Sequence, residues 1–313
     1  MVPTVVDNRP ALVVICGPTA VGKTALALNL AEYFNAEIIS ADSRQLYRLM
    51  DIGTAKPLSE ELQRIRHHLI DVAWPDEEFH AARFVSLAEE AVNDIFRRGK
   101  RAFLVGGTGL YLRALTEGLL QAPSANPKLR QRLHTRAEAE GSASLHEALA
   151  RVDPDSAARL HPNDLIRIVR ALEVFEHSGS MLSVLQDKHG FNSKPYRTVK
   201  ICLNMPRDVL YRRIDQRAEV MFAQGLLEEA ETLLRAGYDP SLKALRTIGY
   251  RQAFALLRKE MTRDEAIDDL KQATRRYAKQ QLTWFRKDKS MIWLESSGDF
   301  VTIRKLIEKF YGI

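Results

Sequence analysis

The chain has 313 residues, 45% apolar and 27% charged, with a net charge of +6. That suits a soluble globular protein of one large domain with an insertion, or of two domains, and no apolar run is long enough to span a membrane. The first residues, with Asp7 and Arg9 ahead of the first apolar run, lack the apolar core and cleavage site of a secretion signal. Cys16 and Cys202 lie in strand-like runs and read as buried thiols, the histidines show no zinc spacing, and a reducing cytoplasm is the expected compartment.

The first predicted element is the strand Ala11 to Cys16, which runs into Gly17-Pro-Thr-Ala-Val-Gly-Lys-Thr24. This is a complete G-x-x-x-x-G-K-T phosphate loop, and a helical pattern follows it at once. Gly17 and Gly22 let the backbone wrap closely and point its N–H groups inward at phosphate oxygens, with Thr19, Ala20 and Val21 among the expected diphosphate-binding residues. Lys23 supplies a mobile positive charge, Thr24 a hydroxyl for Mg²⁺, and Thr19 a hydroxyl in mid-loop within reach of substrate. The loop fixes the ligand as a di- or triphosphate and leaves the reaction open.

A second strand, Glu37 to Ser40, ends in Ala41-Asp42-Ser43-Arg44-Gln45. Residues 59–72 read as helical, then extended, and Phe79 to Phe96 as a helix closed by Gly99. Arg101 to Val105 is the next buried strand, ending in Gly106-Gly-Thr-Gly109 before a helix from Leu110. Strands alternating with helices predict an α/β fold with a parallel sheet, and in such sheets ligands sit at the carboxyl ends of strands. The phosphate loop, Asp42 and the Gly106–Gly109 turn should therefore converge.

The pattern changes near Gln121. From 121 to 196 the chain reads as an all-helical insertion between a first core segment, 1–120, and a last one, 197–313. That last segment opens with the strand Thr198 to Leu203. Helices are predicted over about 207–218, 226–236, 242–258 and 263–287, then a strand from Met291 to Leu294 and a closing helix. Lys271 to Lys289 holds seven basic residues against one acid, which equals the whole net excess. Lys271, Arg275, Lys279 and Arg286 share one helix face, with Tyr277, Trp284 and Phe285 interleaved. Such a stripe is either a solvated face or a contact for nucleic-acid phosphates. Its single sign favours the second reading, with about five phosphates neutralised.

Together the motifs GPTAVGKT, ADSRQLY (Ala41–Tyr47), MDIGTAKP (Met50–Pro57), VGGTGLYL (Val105–Leu112), NDLIRIVRALEVF (Asn163–Phe175), TIGYRQ (Thr247–Gln252) and YAKQQLTWFR (Tyr277–Arg286) resemble the tRNA dimethylallyltransferase, or isopentenyltransferase, family in its bacterial form. The resemblance implies transfer of a dimethylallyl group from its diphosphate to N6 of adenosine 37, beside the anticodon, with Mg²⁺ and diphosphate release. It implies that Arg217 joins Lys23 in clamping the diphosphate, and that Asp42 is the general base for the adenine amine. Read from its residues alone, Asp42 is equally a turn or cap residue, or a metal aspartate of the Walker B kind. The resemblance also implies tRNA contacts at Asp42, Ser43, Arg44, Gln45, Thr108, Arg130, Ile166, Arg167, Ile168, Val169 and Arg170, beside those expected from Arg275, Lys279 and Arg286. The side chains of Ile166, Ile168 and Val169 are expected in the core of the insertion. The expected partners are the tRNA anticodon stem-loop and dimethylallyl diphosphate, for a monomer without membrane contact. The chain's end, Tyr311-Gly-Ile313, shows none of the Cys/His cluster that eukaryotic relatives often add. Three alternatives stand beside this reading: a nucleotide or small-molecule kinase, a prenyltransferase acting on free adenine nucleotides, and a non-catalytic RNA-binding module, against which the intact Gly-Lys-Thr and Asp42 argue.

Overall fold

The structure is a computed structural model that describes residue 7 and residues 9–120, 122–123, 125–190, 193–295 and 300–313. Met1–Val6, where a secretion signal would begin, and Gln121, the expected start of the insertion, lie outside the described residues. The chain divides into two compact units, one of residues 1–116 with 195–313, the other of residues 117–194.

The first unit is built on six parallel strands: β1 (Ala11–Cys16), β2 (Ala36–Ser40), β3 (His67–His68), β4 (Arg101–Gly106), β5 (Arg197–Asn204) and β6 (Met291–Glu295), in the order β3-β2-β4-β1-β5-β6. Each central strand is apolar on both faces because helices cover both. Leu12, Val14 and Cys16 of β1 enter one core with Ile39 and Leu104, whereas Val13 and Ile15 enter the other with Phe103 and Ile201. The second core is closed by α1 (Lys23–Phe34) and α14 (Phe300–Tyr311). The first is closed by α3 (Ala81–Arg97), α11 (Leu226–Arg235), α12 (Tyr250–Leu257) and part of α13 (Arg263–Phe285). The remaining helices of this unit are α2 (Ser59–Arg64), α4 (Gly109–Glu117, whose last residue begins the other unit) and α10 (Arg207–Ala223).

Register sets the site. Cys16 pairs with Gly106 and with Cys202, and Ser40 pairs with Val105, so β1, β2 and β4 end together. The segments that follow all emerge at that edge, as the strand pattern predicts. Cys16 and Cys202 are buried and free.

Two expected elements are shorter. The pattern from 242 to 258 gives a helix only over Tyr250–Leu257. Before it the chain turns, Leu245 N and Arg246 N both donating to the Leu242 carbonyl, and Gly249 has φ +99°. Residues 59–72 give the six-residue α2 and a two-residue strand, because Ile65 leaves the helix with extended dihedrals.

The second unit is helical in its described residues: α5 (Pro127–Glu140), α6 (Ser142–Val152), α7 (Pro154–Arg159), α8 (Leu165–Ser178) and α9 (Leu182–His189). It packs Leu133, Leu145, Leu149, Ile168 and Leu172 around two buried acids. Asp153 accepts from the backbone and hydroxyl of both Ser156 and Ser183, which ties α7 to α9. Glu173 accepts from Arg130, Arg170 and the Asn126 amide.

Candidate active site

The turn after β1 needs its glycines. Gly17 has φ +141°, and a Cβ there would lie 2.6 Å from the Leu203 carbonyl oxygen. Gly22, at φ +99°, opens α1. Lys23 then folds back over the loop, its ammonium donating to the carbonyls of Gly17 (3.0 Å) and Pro18 (2.8 Å). Gly17 and Val21 shape the loop from behind, Val21 fully buried. Thr19, Ala20, Gly22, Lys23 and Thr24 line a cavity of about 490 Å³.

Positive charge gathers in that cavity. Arg217 and Arg213 reach it from α10, and the Arg217 guanidinium donates to the Thr19 hydroxyl. Burial pulls Lys23 down to about 8; the Asp42 carboxylate opposes the shift and Arg217 adds to it. Arg217 is lowered by the same burial, again opposed by Asp42. Two cations held together in a poorly solvated pocket are chemically suited to attract a multivalent anion.

Asp42 stands opposite them at the end of β2. Its Oδ1 accepts from the amide of Arg44 (2.8 Å) and more weakly from that of Gln45 (3.4 Å), so the carboxylate is oriented by its own turn. The Thr108 hydroxyl accepts from the Ser43 amide at 3.0 Å, and the Thr108 amide donates to the Ala41 carbonyl, which joins this turn to Gly106–Gly109. A second cavity of about 270 Å³ opens on the other side, lined by Ser43, Arg44, Gly53, Arg246, Thr274 and Tyr277 among others. Thr19, Asp42, Thr54, Ala55 and Arg217 line both cavities, so Asp42 lies where they meet.

Other expected contacts are committed differently. The Gln45 amide is satisfied within the protein: it donates to the Ala55 carbonyl (3.0 Å) and accepts from the Ser40 hydroxyl (3.2 Å). Arg44 donates to the Lys243 carbonyl at 3.3 Å. In the helical unit Arg130 and Arg170 both clamp Glu173, and Arg167 pairs with Asp164, the cap of its own helix. Ile168 and Val169 are core residues as expected. Ile166 is not: it is 80% exposed, because it stands near the start of α8 on the face away from the core formed by Ile168 and Leu172. On α13, Arg275 and Lys279 line a shallow surface depression with Arg207 and Tyr211, and Arg286, the C-cap, is exposed.

Sequence reasoning missed the residues that brace the site from a distance. Gln281 accepts from the Thr19 amide at 2.8 Å and donates to the Gly107 carbonyl at 3.0 Å. Trp284 lies over Gly109, where an added Cβ would collide with its ring. Glu229 accepts from the amides of Asp51, Ile52 and Gly53 and from the Tyr250 hydroxyl. The close-set glycines at 106–109 were the one readable hint that a side chain from elsewhere presses there.

A glycine-rich anion cradle at the carboxyl edge of a parallel sheet, faced across a cavity by an oriented carboxylate, defines a phosphate-loop α/β enzyme of group transfer. The chain belongs to the IPP transferase family, whose model matches residues 45–288. It is 52% identical to the tRNA dimethylallyltransferase of Geobacter metallireducens across 97% of this chain and 99% of that protein. It is 49% identical to that of Geobacter sulfurreducens across 97% and 98%. Among solved structures it resembles the tRNA isopentenylpyrophosphate transferase of Bacillus halodurans (TM-score 0.71, 41% identity, 97% and 96% covered). It also resembles a eukaryotic dimethylallyltransferase acting on tRNA (TM-score 0.82, 27% identity, 97% and 80% covered). The resemblance carried by the seven motifs is borne out, as is the α/β class.

Proposed function

We propose that the chain transfers a dimethylallyl group from dimethylallyl diphosphate to N6 of adenosine 37 in the tRNA anticodon loop. Prenyl transfer to tRNA is the activity that the relatives' names carry. The observation that bears the finer reading is the position of Asp42 where two cavities meet, one lined by Thr19, Ala20, Gly22, Lys23 and Thr24 of the phosphate loop and the other sharing only Thr19 of it.

In this reading the diphosphate lies along Thr19–Thr24, with Lys23 and Arg217 on its oxygens. As the bond from allylic C1 to oxygen breaks, negative charge grows on the diphosphate, and Lys23 and Arg217, which line the same cavity, would stabilise it there. The adenine amine comes from the second cavity. That base cannot react while stacked in the anticodon loop, so it has to be turned out of the stack to reach Asp42. N6 forms its new bond to C1, the Asp42 carboxylate takes the N6 proton, and diphosphate leaves with the electron pair of the broken bond. The donor set suits Mg²⁺ held mainly by substrate oxygens and water, because Thr24 and Asp42 line the same cavity and no group of three or more metal-ligating side chains occurs among the described residues. When bound, Mg²⁺, held on the protein by the Thr24 hydroxyl, would supply further positive charge to the leaving group. Retention of the Thr24 hydroxyl is what this role asks of the protein.

The test is incubation with labelled dimethylallyl diphosphate, Mg²⁺ and either unmodified tRNA or AMP, without ATP. Label should pass to tRNA only. Label on AMP, or a requirement for ATP, would overturn the reading. Asp42→Asn keeps the turn acceptor and removes the base, so its turnover should fall about 10²- to 10⁴-fold, as in Asp42→Ala, with prenyl diphosphate still bound. Near-normal turnover of Asp42→Asn would leave Asp42 a turn residue.

A further inference from the structure

The phosphate loop and the turn that carries the base belong to different strands, and no backbone hydrogen bond joins them directly among the described residues. Two side chains in series do, Gln281 and Thr108. Gln281 is 6% exposed and lies 262 positions along the chain from Thr19. Its carbonyl oxygen takes the Thr19 N–H, and its amide nitrogen gives a proton to the Gly107 carbonyl. From Gly107 the path continues through one peptide to Thr108, whose hydroxyl accepts from the Ser43 amide, next to Asp42. The fit is tight: a Cβ on Gly107 would collide with the Gln281 amide nitrogen. A loop amide turned toward Gln281 is also one that no phosphate oxygen can use, so its purpose is to hold the loop in place.

We propose that Gln281 is a positioning residue: it fixes the distance between the leaving-group cradle and the base. This rests on the prenyl-transfer reading above. Both ends of the bridge lie in the same compact unit as the two cavities. Gln281 borders neither cavity, so its removal leaves every group that lines them in the chain. Spacing is what changes, and misplacing reacting groups by about 1 Å costs on the order of 10²-fold in rate. Spacing acts on the chemical step and hardly on ground-state binding.

Two variants attack the bridge from opposite ends. Gln281→Ala removes it, and Gly107→Ala displaces it with the added methyl. Each should slow single-turnover prenyl transfer about 10- to 100-fold while the Kd for dimethylallyl diphosphate and for tRNA moves less than about threefold. The double variant should be no slower than the worse single one, because both act through one link. A single-turnover rate within about twofold of the parent in either folded variant, a loss lying wholly in prenyl diphosphate affinity, or additive losses in the double variant would each overturn the proposal. Amide hydrogen exchange at Thr19 gives a readout that needs no activity. It should accelerate in both variants relative to the amides of α1, and unchanged exchange would also overturn the proposal. If the parent protein moves no prenyl group at all, the functional reading fails, and the exchange result still decides whether the bridge exists.

Discussion

At the scale of single residues, Lys23 shows how the fold changes the charge balance of a side chain. Its ordinary pKa is 10.5, and burial brings it to about 8. Between those two values the unfolded chain binds more protons than the folded one. Stability of the ligand-free protein should therefore rise with pH across that window, as the cost of a buried ammonium is relieved. Ligand binding has the opposite sign. An anion in the cradle favours the charged form, so binding of dimethylallyl diphosphate near pH 8 should draw about half a proton from solution, and affinity should fall as pH rises through 8. Calorimetry in two buffers of unequal ionisation enthalpy measures the uptake, and Lys23→Met should abolish it. Binding at pH 8 with no proton uptake would show that Lys23 is already fully charged in the empty loop.

At the scale of elements, the segment from Met50 to Pro57 is held largely by groups from outside it, Glu229, Tyr250 and Asp71. Its Thr54 and Ala55 line both cavities, so its position bears on both. Glu229 on α11 gathers three successive amides of this segment together with the Tyr250 hydroxyl from the start of α12. Tyr250 is fully buried, and its ring occupies the space that any side chain at Gly53 would need: a Cβ there would come within 2.5 Å of it. Lys56, nearly buried, closes the loop from the other side on Asp51 and Asp71. Glu229→Ala would leave four donors without their acceptor and should cost about 2–4 kcal/mol. For a unit of this size that is a fall of about 5–12 °C in melting temperature. Differential scanning calorimetry reads it. A melting temperature within about 1 °C of the parent would mean that water replaces the carboxylate at no cost. The same network explains what the sequence could convey. The strand, loop and helix around Gly17–Thr24 are local, so adjacent residues state them. The helix expected over 242–258 starts only at Tyr250 because the chain turns at Leu242 and at Gly249, through which the apolar period runs on; Gly53, from elsewhere in the chain, lies close against Gly249, and Glu229 holds the Tyr250 hydroxyl. Gln281, 262 residues from its partner, belongs to the same class: its amide gives no periodic signal, and only the fold brings it to Thr19.

For the whole molecule, the excess of positive charge has to be recounted in three dimensions. In the sequence, the run from Lys271 to Lys289 carries nearly unopposed basic charge. In the fold, α10 lies alongside α13 and brings acids to it: Lys271 pairs with Glu219 at 2.7 Å, and Arg275 pairs with Asp215 through two hydrogen bonds. Arg276 lies 3.8 Å from Asp269 on its own helix. Those cations are already neutralised, and an RNA phosphate would have to displace a carboxylate to reach them. Lys279 and Arg286 are exposed and have no ion-pair partner among the described residues, and Lys287 and Lys289 follow them at the helix end. About two to four phosphates are thus available to α13 instead of five, which predicts a slope of log K against log[salt] near −2 to −3 from this helix. Anisotropy of a labelled, unmodified anticodon stem-loop titrated at several KCl concentrations measures it. Lys279→Ala and Arg286→Ala should each reduce the slope by about 1, because each removes one counterion-releasing contact. Lys271→Ala should leave it unchanged, since its charge is spent on Glu219. Equal effects at Lys271 and Lys279 would mean that the RNA breaks the pairs with α10, and that the whole basic face is read as the sequence first presents it.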